Sequence, residues 1–87
     1  MEIKKQAVAG TYESSDVYVV VSKHDSLEVK LESAVMAQYG ASIIASAEEV
    51  ATSMNIDKAL IEITDKGAVD CVIRARVETA LKRAMEA

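Results

Sequence analysis

The chain has no proline, no phenylalanine and no tryptophan, and it holds one cysteine, one histidine and three glycines. Each scarcity excludes something. Without Phe or Trp the core must be assembled from Val, Ile, Leu, Ala and Met, which leaves little material for an aromatic-lined ligand pocket and argues against a self-contained enzyme. A single cysteine closes no internal disulfide. Cys71 and His24 lie far apart with no ligand spacing between them, so no metal site is expected. The longest purely apolar stretch, residues 17–21, falls far short of the roughly 20 residues a membrane-spanning helix needs. No charged-then-apolar leader is evident, and a reducing cytoplasm is the expected setting. A basic footprint is missing as well: the net charge of −4 excludes nucleic acid as an expected partner.

What is present suits a folded chain. Half of the 87 residues are hydrophobic (51%) and 28% are charged, enough apolar material to form a core and too little charge for disorder. With no internal repeat and no Gly/Ser-rich linker, residues 1–87 read as one domain. Charge is unevenly spread. Residues 34–65 carry one basic and five acidic side chains, whereas residues 66–87 carry five basic and three acidic ones. An acidic surface of this kind suits docking to basic patches on partner proteins.

The periodicities predict an α+β fold. "AVAGTY" begins as a strand broken or bulged at Gly10. "DVYVVVSK" is nearly continuous in apolar character, the pattern of a strand buried on both faces. "SLEVKLES" sets Leu27, Val29 and Leu31 against Glu28, Lys30 and Glu32, the period-two pattern of a strand with one wet face. "SKHDS" then reads as a hairpin loop between these two strands. Val35, Tyr39, Ile43, Ala47, Val50 and Met54 recur at helical spacing, predicting a helix over residues 34–54 with Ser33 as its N-cap. Gly40 inside it marks close packing on the sheet or a kink. "KALIEIT" and "AVDCVI" read as two strands joined at "DKG", where Gly67 supplies the left-handed conformation of a short hairpin loop. The tail is a second helix in which Glu78 pairs with Lys82 one turn on; its start near Ile73 is ambiguous, because period-two alternation also fits residues 69–77. The expected architecture is a small two-layer sandwich, βββ-α-ββ-α along the chain, with helices on one face of a mainly antiparallel sheet.

Two serine motifs bear on function. "HDSLE" contains Asp25-Ser26-Leu27, the triplet that surrounds the attachment serine of fatty-acid-type acyl carrier proteins. There the serine opens a helix in an all-helical bundle; here Ser26 is followed by strand alternation, so a hairpin-end serine is the better reading. The second motif is "AVAGTYESSD", residues 7–16, in which Ser14 and Ser15 stand between Glu13 and Asp16 just before an apolar strand. It closely resembles the N-terminal signature of the acyl carrier protein (gamma subunit) of citrate lyase, which runs Ala-Val-Ala-Gly-Thr-Leu-Glu-Ser, then a small residue and Asp. "DKGAVDCVIRARVETAL", residues 65–81, is similar to the C-terminal block of the same family. Tyr12 departs from the Leu of that signature.

The resemblance implies that Ser14 carries a phosphoribosyl-dephospho-CoA group through a phosphodiester bond, with Ser15 at the small-residue position. It implies a non-catalytic carrier of acetyl and citryl thioesters, with no catalytic residue of its own, in a complex that cleaves citrate to acetate and oxaloacetate. A transferase (alpha) subunit, a lyase (beta) subunit and a holo-carrier synthase that attaches the group are the implied partners. The chemistry is consistent with this. A modifying enzyme must reach the hydroxyl on an exposed turn, the arm ends in a thiol able to exchange thioesters, and tethering makes each encounter intramolecular.

Other readings stand beside it: a carrier for citramalate lyase or malonate decarboxylase, or a protein-interaction module whose serines are inert or phosphorylated. Glu13 and Asp16 read as solvating turn residues, and Gly10 and Thr11 as shapers of the turn. Cys71, sharing a strand face with Val69 and Ile73, reads as a small buried hydrophobe. His24 is expected to be a loop side chain. Arg74, Arg76, Lys82 and Arg83 form a solvated helix face or meet the arm's phosphates or a partner subunit. Tyr12 and Tyr18 fill the core or pack under the arm.

Overall fold

The computed structural model describes residues 2–33 and 36–86. Strands β1 (Ala7–Gly10), β2 (Val17–Ser22) and β3 (Leu27–Ser33) precede helix α1 (Met36–Ser53), strand β4 (Ala59–Asp65) and helix α2 (Asp70–Met85). The four strands form one sheet in the order β1-β2-β4-β3. The fold is α+β, as expected, but the order along the chain is βββ-α-β-α and the sheet is mixed: β1–β2 and β2–β4 are antiparallel, β3–β4 parallel.

Alternation across the register explains the layering. Ala9, Val19, Ile63 and Leu31 lie in one row, and Val21, Ile61 and Val29 in the next; β2 and β4 contribute fully or almost fully buried side chains to both. Both helices pack on that face through Ile43, Ala47, Val50 and Ala51 of α1 and Ile73, Val77, Ala80, Leu81 and Ala84 of α2. The opposite face is open. Tyr18 and Val20 of β2 are half-exposed there, so this strand is covered on one side only, contrary to the expectation of two buried faces.

Three expectations are corrected. First, β2 and β3 do not form a hairpin. β4, with Ala59, Ile61 and Ile63 buried, takes the central place between them, and β3, with Glu28, Lys30 and Glu32 exposed, is left at the edge. Residues 23–26 therefore step across one strand, about 10 Å between strands two spacings apart, within reach of a four-residue connection. The parallel pairing of β3 with β4 needs a crossover, and α1 supplies it. Second, "AVDCVI" is not a strand. Asp70 opens α2, where its charge suits the helix dipole, and Ile73, Val77, Ala80, Leu81 and Ala84 make a helical stripe that continues the burial of the whole tail. Cys71 falls off that stripe and is exposed, not buried. Third, "DKG" is a strand-to-helix turn. Gly67 does take a left-handed backbone (φ 94°), while the buried Asp65 carboxylate accepts the N–H groups of Gly67 (3.1 Å) and Ala68 (2.9 Å) and the Ser33 hydroxyl (2.7 Å).

Ser33 ends β3, and the helix start expected at residue 34, with its cap, lies outside the described residues. Val35, which opened the expected helical stripe, lies outside the described residues, as does the side chain of Tyr39. Gly40 is a buried position within α1. The far end of α1 closes by a Schellman arrangement: Asn55 is left-handed (φ 59°), Ile56 N–H reaches Ala51 C=O (2.9 Å) and Asn55 N–H reaches Thr52 C=O (3.0 Å), which buries Ile56. The basic residues of α2 are engaged rather than merely solvated. Arg74 bridges Asp70 and Glu49, Lys82 pairs with Glu78 as expected, and the Arg83 guanidinium donates to Val8 C=O at the edge of β1.

Gly10 and Gly67 differ in a testable way. Both have positive φ, but a Cβ on Gly10 would stand 1.8 Å from the Val17 carbonyl oxygen, whereas one on Gly67 meets open space. Gly67→Ala should cost about 1–2 kcal/mol, the penalty of a left-handed L-residue. Gly10→Ala should cost clearly more, roughly 3 kcal/mol, because the backbone must also move. Urea unfolding of the two variants against the parent checks the ranking.

Candidate attachment site

The connection from β1 to β2, residues 11–16, is a turn held from several directions. Gly10, with φ 92°, brings the chain out of β1. The Asp16 N–H donates to Glu13 C=O (3.1 Å), closing a four-residue turn whose third residue, Ser15, has φ 66°. That position of such a turn favours Gly or Asn, so a serine there is held by its surroundings. Its N–H donates to Lys66 C=O (2.8 Å), and the Lys66 N–H donates to Asp16 C=O (3.0 Å), which fastens the turn to the chain just beyond β4.

Side chains complete the fastening. The Thr11 hydroxyl accepts the Glu13 N–H (3.2 Å) and donates to Asp16 Oδ2 (2.7 Å). Asp16 Oδ1 accepts the Val17 N–H (2.8 Å), and Arg76 of α2 donates Nε to Oδ1 and Nη2 to Oδ2, both at 3.2 Å. Only 15% of the Asp16 side chain is exposed. The Thr11 hydroxyl, the Val17 N–H and the Arg76 guanidinium together lower its carboxyl from the ordinary 3.8 to about 2, against the small opposing effect of desolvation. Asp16 is therefore a structural anchor rather than the solvating turn residue expected from sequence. Thr11 shapes the turn, as expected. Arg76 gave no local sign of its partner, which stands 60 positions earlier in the chain.

Ser14 lies at the second position of this turn. It is exposed, and its hydroxyl engages no partner among the described residues. Ser15 is exposed too, but its backbone is tied to Lys66. Glu13 is exposed and contributes its carbonyl to the turn. Ser26 sits at the opposite end of the sheet, where its carbonyl accepts the Ala59 N–H (3.1 Å), so the two serine motifs are not brought together. A mixed-charge cleft of about 670 Å³ is at that far end also, between Lys4, Lys23, His24, Asp25, Asp57 and Lys58. His24 bonds Glu28 (3.1 Å) beside it. On the open face of the sheet the ring of Tyr12 stacks on that of Tyr18, centroids 4.5 Å apart.

Residues 4–84 match a family model described as malonate decarboxylase delta subunit (MdcD). The chain is 49% identical over 86 residues to the citrate lyase acyl carrier protein of Haemophilus influenzae (strain PittEE), covering 99% of this chain and 90% of that one. It is 45% identical to the citrate lyase acyl carrier protein of Treponema denticola, with 99% of both chains covered. The chain belongs to the citrate lyase acyl carrier protein family. A relative of the same description from Clostridium perfringens (strain 13 / Type A) is 48% identical over 88 residues, 99% of this chain and 87% of that one. The fold of this citrate lyase carrier family member is shared more widely. A chain in the crystal structure of a Pseudomonas malonate decarboxylase hetero-tetramer in complex with malonate superposes with a TM-score of 0.75 at 20% identity, over 94% of this chain and 86% of that one.

The lowered Asp16 carboxyl has a defined sign. Its folded value lies below that of an unfolded aspartate, so its contribution to stability is complete above pH 3.8 and is lost as pH falls toward 2. Thr11→Val removes the largest cause and should raise the Asp16 carboxyl toward the ordinary range, shifting acid unfolding to higher pH. Carboxyl-detected NMR titration of parent and variant reads the shift directly.

Proposed function

We propose that this chain is the acyl carrier subunit of citrate lyase and that the Ser14 oxygen forms the phosphodiester to a phosphoribosyl-dephospho-CoA arm. The observation that carries the reading is the Ser14 hydroxyl itself: exposed, unengaged among the described residues, and fixed on a turn fastened on both sides. Nothing about the residue resists the group, since its oxygen is accessible and gives up no internal hydrogen bond when modified. When bound, the group supplies a thiol on which acyl groups are held as thioesters.

The protein's own residues present this arm and perform no bond-making of their own. Thr11, Asp16 and Arg76 hold the turn in one shape for the synthase that attaches the group. Ionised Asp16 is already neutralised by Arg76, so the local field is less hostile to a phosphodiester than two bare carboxylates would be. The transferase and lyase subunits are the partners to which the arm delivers its cargo. The setting is cytoplasmic, in keeping with an exposed thiol at Cys71 and with the described residues, which include no helix long and apolar enough to cross a membrane. A carrier role in malonate decarboxylase is the second reading, favoured by the family model and by the shared fold.

Mass spectrometry of the protein purified from its own host tests the assignment. A dephospho-CoA-sized adduct is expected on the peptide containing Ser14, lost in Ser14→Ala and retained in Ser15→Ala. A phosphate-sized increment instead indicates an interaction module, and an adduct on Ser26 relocates the site. Reconstitution with citrate lyase or with malonate decarboxylase subunits then separates the two carrier readings.

A further inference from the structure

The open face of the sheet is divided. On its β3–β4 half stand Glu28, Lys30, Glu32 and Glu62; on its β1–β2 half stand Val8, Tyr18 and Val20, with Tyr12 laid against Tyr18. Among the described residues no element covers the apolar half: Tyr12 is 61% exposed and Val8 41%. The two rings are 29° from parallel, so Tyr18 backs one side of Tyr12 and leaves the other to solvent. Tyr12 is two residues from Ser14, at the tip of the fastened turn.

A solvent-facing, backed aromatic ring is what a flat base stacks on, and such stacking is tolerant of base identity because every base has a π-face. The geometry points to the Tyr12–Tyr18 pair as the platform on which the purine of the Ser14-tethered nucleotide rests between visits to partner subunits. This rests on Ser14 being the anchor. Three features single out the tethered base as occupant. The platform adjoins the tether, so docking is intramolecular and has no translational cost to overcome. The acidic β3–β4 half repels the arm's phosphates and confines it to the β1–β2 half. Lys66, whose backbone bonds both Ser15 and Asp16, offers an exposed ammonium at the anchored end for the phosphodiester. The consequence is a nucleotide stowed on the carrier while the thiol end of the arm remains mobile. Base–aromatic stacking of ordinary strength favours the docked arm by roughly five-fold or more.

The test uses holo-protein purified from its own host, with its adduct on Ser14 verified by mass. Proton NMR is expected to show the purine H2 and H8 resonances upfield of those in dephospho-CoA free in solution, with cross-peaks to the Tyr12 ring. Tyr12→Leu, which restores the residue of the resembled signature at an exposed position, should return both resonances to their free positions while the sheet amides stay unchanged. Purine lines at their free positions in a verified holo-chain overturn the platform and leave the Ser14 assignment standing. Upfield lines that persist in Tyr12→Leu overturn it equally. Perturbation of Val8 and Val20 only on addition of lyase subunits, with the purine lines free, gives the face to a protein partner instead. Absence of any Ser14 adduct in host-purified protein overturns the anchor and the platform together.

Discussion

The contact between Asp16 and Arg76 joins the first turn of the fold to its last helix, and the geometry around Ser14 depends on it. A carboxylate just before β2 takes donors from Thr11 at the start of the turn, from the Val17 N–H at its end and from Arg76 across the layer boundary. Without that convergence the turn would be tied to the rest of the fold by its backbone bonds to Lys66 and the Tyr12–Tyr18 stack. With it, an exposed serine is presented on a support whose parts come from three separated stretches of sequence. Arg suits the task because its planar fork meets both carboxylate oxygens at once.

Local chemistry explains which parts of this were legible in sequence. The alternation in β3 and the helical spacing of Ile43, Ala47 and Val50 each announce a one-sided element, and both are found as such. The turn residues Gly10, Thr11 and Gly67 also behave as their types demand. Strand neighbours were less legible. A short polar segment between two strands suggests a hairpin, but whether they pair depends on a third strand, here the more completely buried β4. Residues 69–73 misled for a related reason: over five residues, alternation of Val69, Cys71 and Ile73 cannot be told from the start of a helical stripe. Only Ala80, Leu81 and Ala84, further along, decide the period.

The exposed turn around Ser14 was legible and its support was not. An exposed turn is what the polar "YESSD" run before an apolar strand suggests, whereas Arg76 carries no mark of its role because its partner is distant in sequence. Asp16 was misjudged on the same ground: a carboxylate in a polar turn is ordinarily hydrated, and here it is satisfied internally. A small chain with no large aromatic core has little to spare for an enclosed chamber. This fold uses its buried apolar residues to hold a rigid sheet and leaves an exposed, fastened turn at its rim.

The sheet order also has a temporal consequence. The central neighbour of β2 is β4, and the clamp on Asp16 comes from α2, so the turn bearing Ser14 acquires its shape only when nearly the whole polypeptide is available. A nascent chain still attached to the ribosome short of residue 76 displays that serine on a slack loop without Lys66 or Arg76 to brace it.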